Sequence, residues 1–169
     1  MAVPKSKRFP PGNGQDVPPV AARKPFGNQR PQPRQRLEVN GADSSAFEAL
    51  PFIGPVLAGR LVKFRDALGG FHSVAQLKEV YGLDSLAFAV VSERVEVDAS
   101  RIRTLCADTA SWAALRGHPY IGVQGARAIE RYRAAHPLAS IEELAAHPPI
   151  GDSLMDRWRP YLVCCLCGE

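Results

Sequence analysis

The sequence repeats itself, and the repeat limits what the chain can fold into. Ala42 to Leu50, ADSSAFEAL, returns as Ala107 to Leu115, ADTASWAAL, at an offset of 65 residues. After a three-residue insertion FIGPVLAGRLVKFR lies over YIGVQGARAIERYR at an offset of 68, and SVAQL over SIEEL at 67. One unit of about 65 residues is therefore used twice.

Each unit has a helical texture. From Leu37 onward apolar residues recur at helical spacing between glycines and prolines, and β-branched runs of strand length are scarce. Ser45 with Glu48, Ser73 with Gln76 and Ser140 with Glu143 have the spacing of capping boxes and mark helix starts. A further helix is expected to start at Pro55, where a missing amide hydrogen does no harm, and to stop near Gly69 and Gly70. The expected fold is all-α, with four or five short helices per unit. The expected domains are 37–98 and 99–163, with a short cysteine-containing tail over 164–169. Phe47, Phe64, Trp112 and Tyr132 correspond between units and read as core. His72, His118, His136 and His147 lie in or beside turns and read as surface or capping residues.

Residues 1–36 differ from the rest. They are rich in proline, glycine, asparagine and glutamine and have no apolar period, so they are expected to stay extended and disordered. Eight basic residues stand there against Asp16 alone, giving the arm a charge of +7 and leaving −3 on the body. Such an arm attracts polyanions, nucleic acid or an anionic lipid surface among them. No window is apolar enough to span a membrane and no apolar stretch follows the first basic residues, so the sequence as written reads as neither secreted nor membrane-spanning. Cys106 stands alone, and Cys164, Cys165 and Cys167 crowd together without the paired spacing of a zinc site. The expectation is reduced, incidental thiols and no metal.

The repeated turn carries the chemistry. In Pro51-Phe52-Ile53-Gly54-Pro55 a tight connection between two helices leaves turn and first-turn amides without intrahelical partners, beside the positive end of a helix dipole. An anion such as phosphate fits there without a cationic side chain. LPFIGPVLAGRLVKFR and HPYIGVQGARAIERYR resemble helix-hairpin-helix motifs, and the run from Asn40 to Asp84 is similar to the DNA-binding domain of ComEA-like competence proteins. The resemblance covers most of residues 38–163. It implies two compact helical domains, each built from two hairpins that grip the minor-groove side of double-stranded DNA through its phosphates, without reading sequence.

By that resemblance the phosphate-facing amides are Ile53, Gly54, Val56 and Leu57 in the first hairpin and Ile121, Gly122, Gln124 and Gly125 in the third. Gly82 and Gly151 mark the second and fourth. Arg60, Lys63 and Arg65, with their counterparts Arg127, Arg131 and Arg133, are candidates for flanking phosphates, and the equivalence of Arg65 and Arg133 singles those two out. The chain departs from the family pattern at one glycine of each hairpin: Phe52, Tyr120 and Pro149 replace the first, and Asp84 the second. Asp84 and Asp152 also put acids where a phosphate would sit. These departures keep open an alternative, a protein interaction or assembly module with little DNA affinity. No cofactor is expected, although a monovalent cation assists the hairpin in some relatives. The catalytic aspartate that glycosylases of this group carry downstream of the hairpin is missing from GGFHSVAQL and PLASIEEL, so no enzyme is expected. The family setting suggests DNA uptake at the cell envelope, whereas the sequence as written suggests a cytosolic relative serving repair or recombination, or a true start further upstream.

Overall fold

A computed structural model describes residues 35–136, 140–148 and 150–165. Nearly all of the basic arm, Pro149 and Cys167 lie outside the described residues. From Arg34 onward the chain forms one compact unit. It is all-α, with two very short parallel ladders as its only strands among the described residues. None of the described helices is long and apolar enough to cross a membrane.

The first half runs β1 (Leu37–Glu38), α1 (Ser44–Glu48), α2 (Pro55–Leu68), a 3-10 helix (Val74–Glu79), α3 (Ser85–Ser92) and β2 (Val95–Glu96). After a 3-10 turn (Ala99–Arg101) the second half repeats the scheme: β3 (Leu105–Cys106), α4 (Trp112–Gly117), α5 (Gly122–Ala135), α6 (Ile141–Ala146), α7 (Gly151–Trp158) and β4 (Leu162–Val163). Leu37 pairs with Val95 and Leu105 with Leu162, so in each half the entering chain is tied in parallel to the leaving chain.

Local chemistry sets the helix boundaries. Pro55 opens α2, and Gly69 closes it in the left-handed region at φ 83°, where a Cβ would stand 2.5 Å from the Arg103 carbonyl oxygen. Both the left-handed backbone and the close approach require glycine there. The Ser73–Gln76 capping box forms in both directions, and Ser140 accepts from the Glu143 amide. The cap of α1 differs from expectation: Asp43 accepts from the Ala46 amide at 2.7 Å, and Ser45 only donates its hydroxyl to the same carboxylate. With Asp43 as the N-cap the helix begins at Ser44, so Ser45 lies inside its first turn and no longer stands at the capping position.

Each half has its own apolar cluster. Phe47, Leu61, Leu68, Phe71, Leu77 and Val91 centre the first, and Leu115, Ile129, Leu144, Met155 and Trp158 the second. A fully buried side chain of this size contributes about 1.5–3 kcal/mol. Tyr161 belongs to the first cluster although it follows α7, and Tyr120 packs against both. Polar contacts reinforce this junction. The Gln76 amide donates to the Tyr120 and Tyr161 hydroxyls at 2.7 and 2.8 Å, and the Tyr120 hydroxyl donates to Glu79 at 3.0 Å. Burial, joined by the neighbouring Glu79, pushes the Tyr120 hydroxyl up to about 12. His118 is a capping residue but not a surface one: it is the C-cap of α4, is only 3% exposed, bonds the Leu68 carbonyl at the end of α2 through Nε2 at 3.2 Å and accepts the Tyr120 amide on Nδ1. Burial pulls its imidazole below the ordinary value, opposed by the Leu68 carbonyl.

The cysteines also correct the sequence reading. Cys106 and Cys165 form a disulfide, because the β3–β4 ladder brings their Cα atoms to 5.5 Å, inside the span such a bond needs. Asp108 lies close by, but with the two sulfurs joined to each other this group offers no thiolate pair to a metal.

Candidate nucleic-acid interface

The first turn is built from its anchor outward. Ile53 is buried and its amide donates to the Leu50 carbonyl at 3.3 Å. Pro55 pushes the preceding residue out of the helical region, so Gly54 takes an extended N-cap conformation at φ −92°, ψ 175°. The reversal of direction must then fall on Phe52, at φ 66°, the one non-glycine residue in the left-handed region among the described residues. That conformation costs a side-chain-bearing residue roughly 1–2 kcal/mol. The amides of Gly54, Val56 and Leu57 meet no acceptor among the described residues, and no atom lies within 4 Å of a Cβ built on Gly54.

The second turn has the same geometry. Leu83 anchors it, Gly82 turns at φ 99°, and Asp84 is the extended N-cap at φ −76°, ψ 169°. The Ser85 and Leu86 amides meet no acceptor among the described residues, but the Asp84 carboxylate accepts from Ala87 at 2.7 Å. This helix end therefore already holds an anion of its own. The two turns lie side by side: the Arg60 guanidinium donates to the Tyr81 carbonyl at 3.0 Å and stands 5.0 Å from the centre of the Tyr81 ring, and Leu57 packs toward Gly82.

The second half turns differently. Ile121 and Ile150 are helical, at φ −79° and −71°, and the following glycines, Gly122 and Gly151, are the left-handed residues, at φ 58° and 66°. Gly122 is left-handed instead of extended, and α5 starts directly from it. The Gly122 amide is consequently engaged by the His118 carbonyl at 2.9 Å. Gly125 donates to the Ile121 carbonyl at 3.0 Å, and a Cβ on it would stand 2.7 Å from the Trp158 ring. Its role is close packing of α5 on α7.

Several expected phosphate contacts are corrected by these bonds. The amides of Ile53, Gly122 and Gly125 already have acceptors in the chain. Arg65 points its guanidinium at the Val39 and Ala42 carbonyls, and Arg133 at those of Cys106, Ala107 and Ala110. Their equivalence between halves is thus structural: each brackets the loop that leads into the first helix of its half, and a guanidinium with several donors suits several carbonyls. Gly54, Val56, Leu57, Arg60 and Gly82 do come together. Lys63, Arg127 and Arg131 are exposed and meet no carboxylate or carbonyl among the described residues, and Gln124 and Gly151 lie at the open ends of α5 and α7.

Sequence reasoning missed the apolar tip of the first half. Phe52, Val56, Tyr81 and Leu86 are 71%, 68%, 83% and 81% exposed, against 47% and 40% for Val123 and Leu154 in the second half. The available signal was an aromatic at the place of a hairpin glycine.

These turns define the first half as a helix-hairpin-helix element, a class associated in general with nucleic-acid binding. Residues 32–96 match the family model of the helix-hairpin-helix motif. The chain is also 27% identical over 145 residues to Endonuclease/exonuclease/phosphatase family domain-containing protein 1 of Danio rerio, a match covering 75% of this chain and 26% of that protein. It therefore spans about a quarter of the length of that curated relative. No solved structure matches.

Proposed function

We propose that this chain binds double-stranded DNA without sequence preference, through the two adjacent turns of its first half. The observation that carries this reading is the set of open amides, Gly54, Val56 and Leu57, at the uncrowded start of the fourteen-residue helix α2. Donors that find no acceptor among the described residues suit the oxygens of a phosphodiester, and Arg60 and Lys63 add charge on the same helix. The arm, with its charge of +7, supplies long-range attraction. The clamp needs no ion or cofactor, and we assign the chain binding and not catalysis.

Both halves together form a tandem arrangement of the ComEA-like kind in this reading. The relative is named for an endonuclease/exonuclease/phosphatase family domain, which favours a role in DNA processing, repair or recombination over uptake. A scaffold role fits the second half better, because its Gly122 amide is engaged and Asp152 stands in the first turn of α7.

Fluorescence anisotropy of a labelled duplex of about 25 base pairs tests the reading, with the salt raised stepwise. The expected outcome is affinity that falls steeply with salt, is indifferent to sequence and persists in weakened form without residues 1–36. Loss of all affinity with the arm would refute the hairpin clamp.

A further inference from the structure

Phe52 and Tyr81 occupy positions that the fold gives no reason to fill with aromatics. Phe52 holds a left-handed backbone that glycine would adopt freely, while its ring is 71% exposed. Tyr81, 83% exposed, immediately precedes the left-handed Gly82 of the neighbouring turn. One guanidinium, that of Arg60, links the two turns: it belongs to α2 and stands over the Tyr81 ring. Two exposed rings, a stacked guanidinium and open amides thus share one end of the first half, whereas Tyr120, the counterpart of Phe52, is held in the junction by Gln76 and Glu79.

Phosphate contact alone needs none of these rings. A ligand matching the whole surface must present anionic oxygens to the amides and flat apolar faces to the aromatics at the same end of the first half. A polynucleotide with unstacked bases does so, since every base has a face available for stacking on an aromatic and its phosphates follow the backbone. In uninterrupted duplex those faces are stacked on neighbouring bases.

We infer that the paired turns of the first half bind DNA carrying unpaired bases in preference to continuous duplex, with Phe52 and Tyr81 receiving base faces while the Gly54, Val56 and Leu57 amides hold adjacent phosphates. This inference rests on the DNA-binding reading above and names the form of DNA that the site selects. Arg60 contributes by fixing the Tyr81 ring and by its charge.

The test uses the full chain and two labelled DNAs of about 25 base pairs, one continuous and one interrupted by a central single-stranded gap of about three nucleotides. The expected result is about tenfold tighter binding of the gapped DNA. In the double variant Phe52→Gly, Tyr81→Ala that ratio falls to about one while affinity for continuous duplex is kept. Phe52→Gly removes backbone strain, so unfolding does not explain a lost preference, and a thermal melt of each variant verifies this. Equal affinity of the unaltered chain for both DNAs, or a preference that survives in the double variant, overturns base stacking and leaves the duplex reading standing. Absence of binding to either DNA overturns the duplex reading and this inference with it.

Discussion

The two halves share a repeat and an architecture but differ at the turns: Gly54 and Asp84 are extended in the first half, whereas Gly122 and Gly151 are left-handed in the second. In the first half Gly54, followed by Pro55, is extended, the helix start is open, and the left-handed residue, Phe52, stands two places earlier than its counterpart in the second half. In the second half Val123 follows Gly122, the glycine itself turns left-handed, and its amide is taken by His118. His118 in turn lies buried at the junction beside Tyr120 and Tyr161. The half that keeps its amides free also exposes its apolar tip; the other half uses the same region to pack against its neighbour. One half thus presents a surface at its turns and the other a support.

That contrast can be broken in order of expected effect. Cys106→Ser opens a link between residues 59 apart that ties only the second half, and a chain-entropy model gives a loss of up to about 4 kcal/mol. Urea unfolding with and without reductant reads this, and the midpoints of the unaltered chain and the variant should coincide once both are reduced. Next, Gly125→Val drives a side chain into the Trp158 ring and should cost about 1–3 kcal/mol, whereas Gly54→Ala, which meets open space, should cost well under that. Equal losses at the two glycines would contradict the assignment of packing to one and surface to the other.

A smaller effect sharpens the comparison within the first half. Gly54→Asp copies the self-capped arrangement of Asp84, so the fold should be unharmed while duplex affinity drops about tenfold; Asp84→Gly should move affinity the other way. Anisotropy on both variants reads the pair of shifts, and a Gly54→Asp protein that binds as before would show the α2 amides to be idle.

The smallest expected effect is a pH dependence at the junction. Burial lowers the His118 pKa below the ordinary 6.5, so the folded state binds the proton less readily than the unfolded chain. The stability this contributes is complete above about 6.5 and declines as pH falls below it through the folded value. The urea midpoint should be lower at acidic pH, and His118→Phe should flatten that decline. A midpoint that falls equally in this variant would place the acid sensitivity elsewhere.

Much of the fold was legible in the sequence, because helix boundaries depend on a few neighbouring residues. Pro55, Gly69 and the Ser73–Gln76 box act within one turn of the chain, and the structure bears them out. The candidate site was half legible. Gly54, Val56 and Leu57 were identifiable because unpartnered amides follow from any helix start, but the engagement of Gly122 and Gly125 depends on which residue turns left-handed and on where Trp158 stands. Arg65 and Arg133 misled for a related reason: equivalence between repeats marks a shared role without saying whether a guanidinium faces solvent or a carbonyl.

The sequence by itself determined a doubled all-helical fold, the place of each turn and the charge carried by the arm, since composition, spacing and local backbone preference act over short distances. Tertiary structure alone decided that His118 is buried, that Cys106 finds Cys165, that Gln76 joins Tyr120 to Tyr161, and that Phe52 and Tyr81 remain at the surface. Each of these depends on which side chains meet across tens of residues, and that is fixed only when the two halves close their ladders and pack against each other.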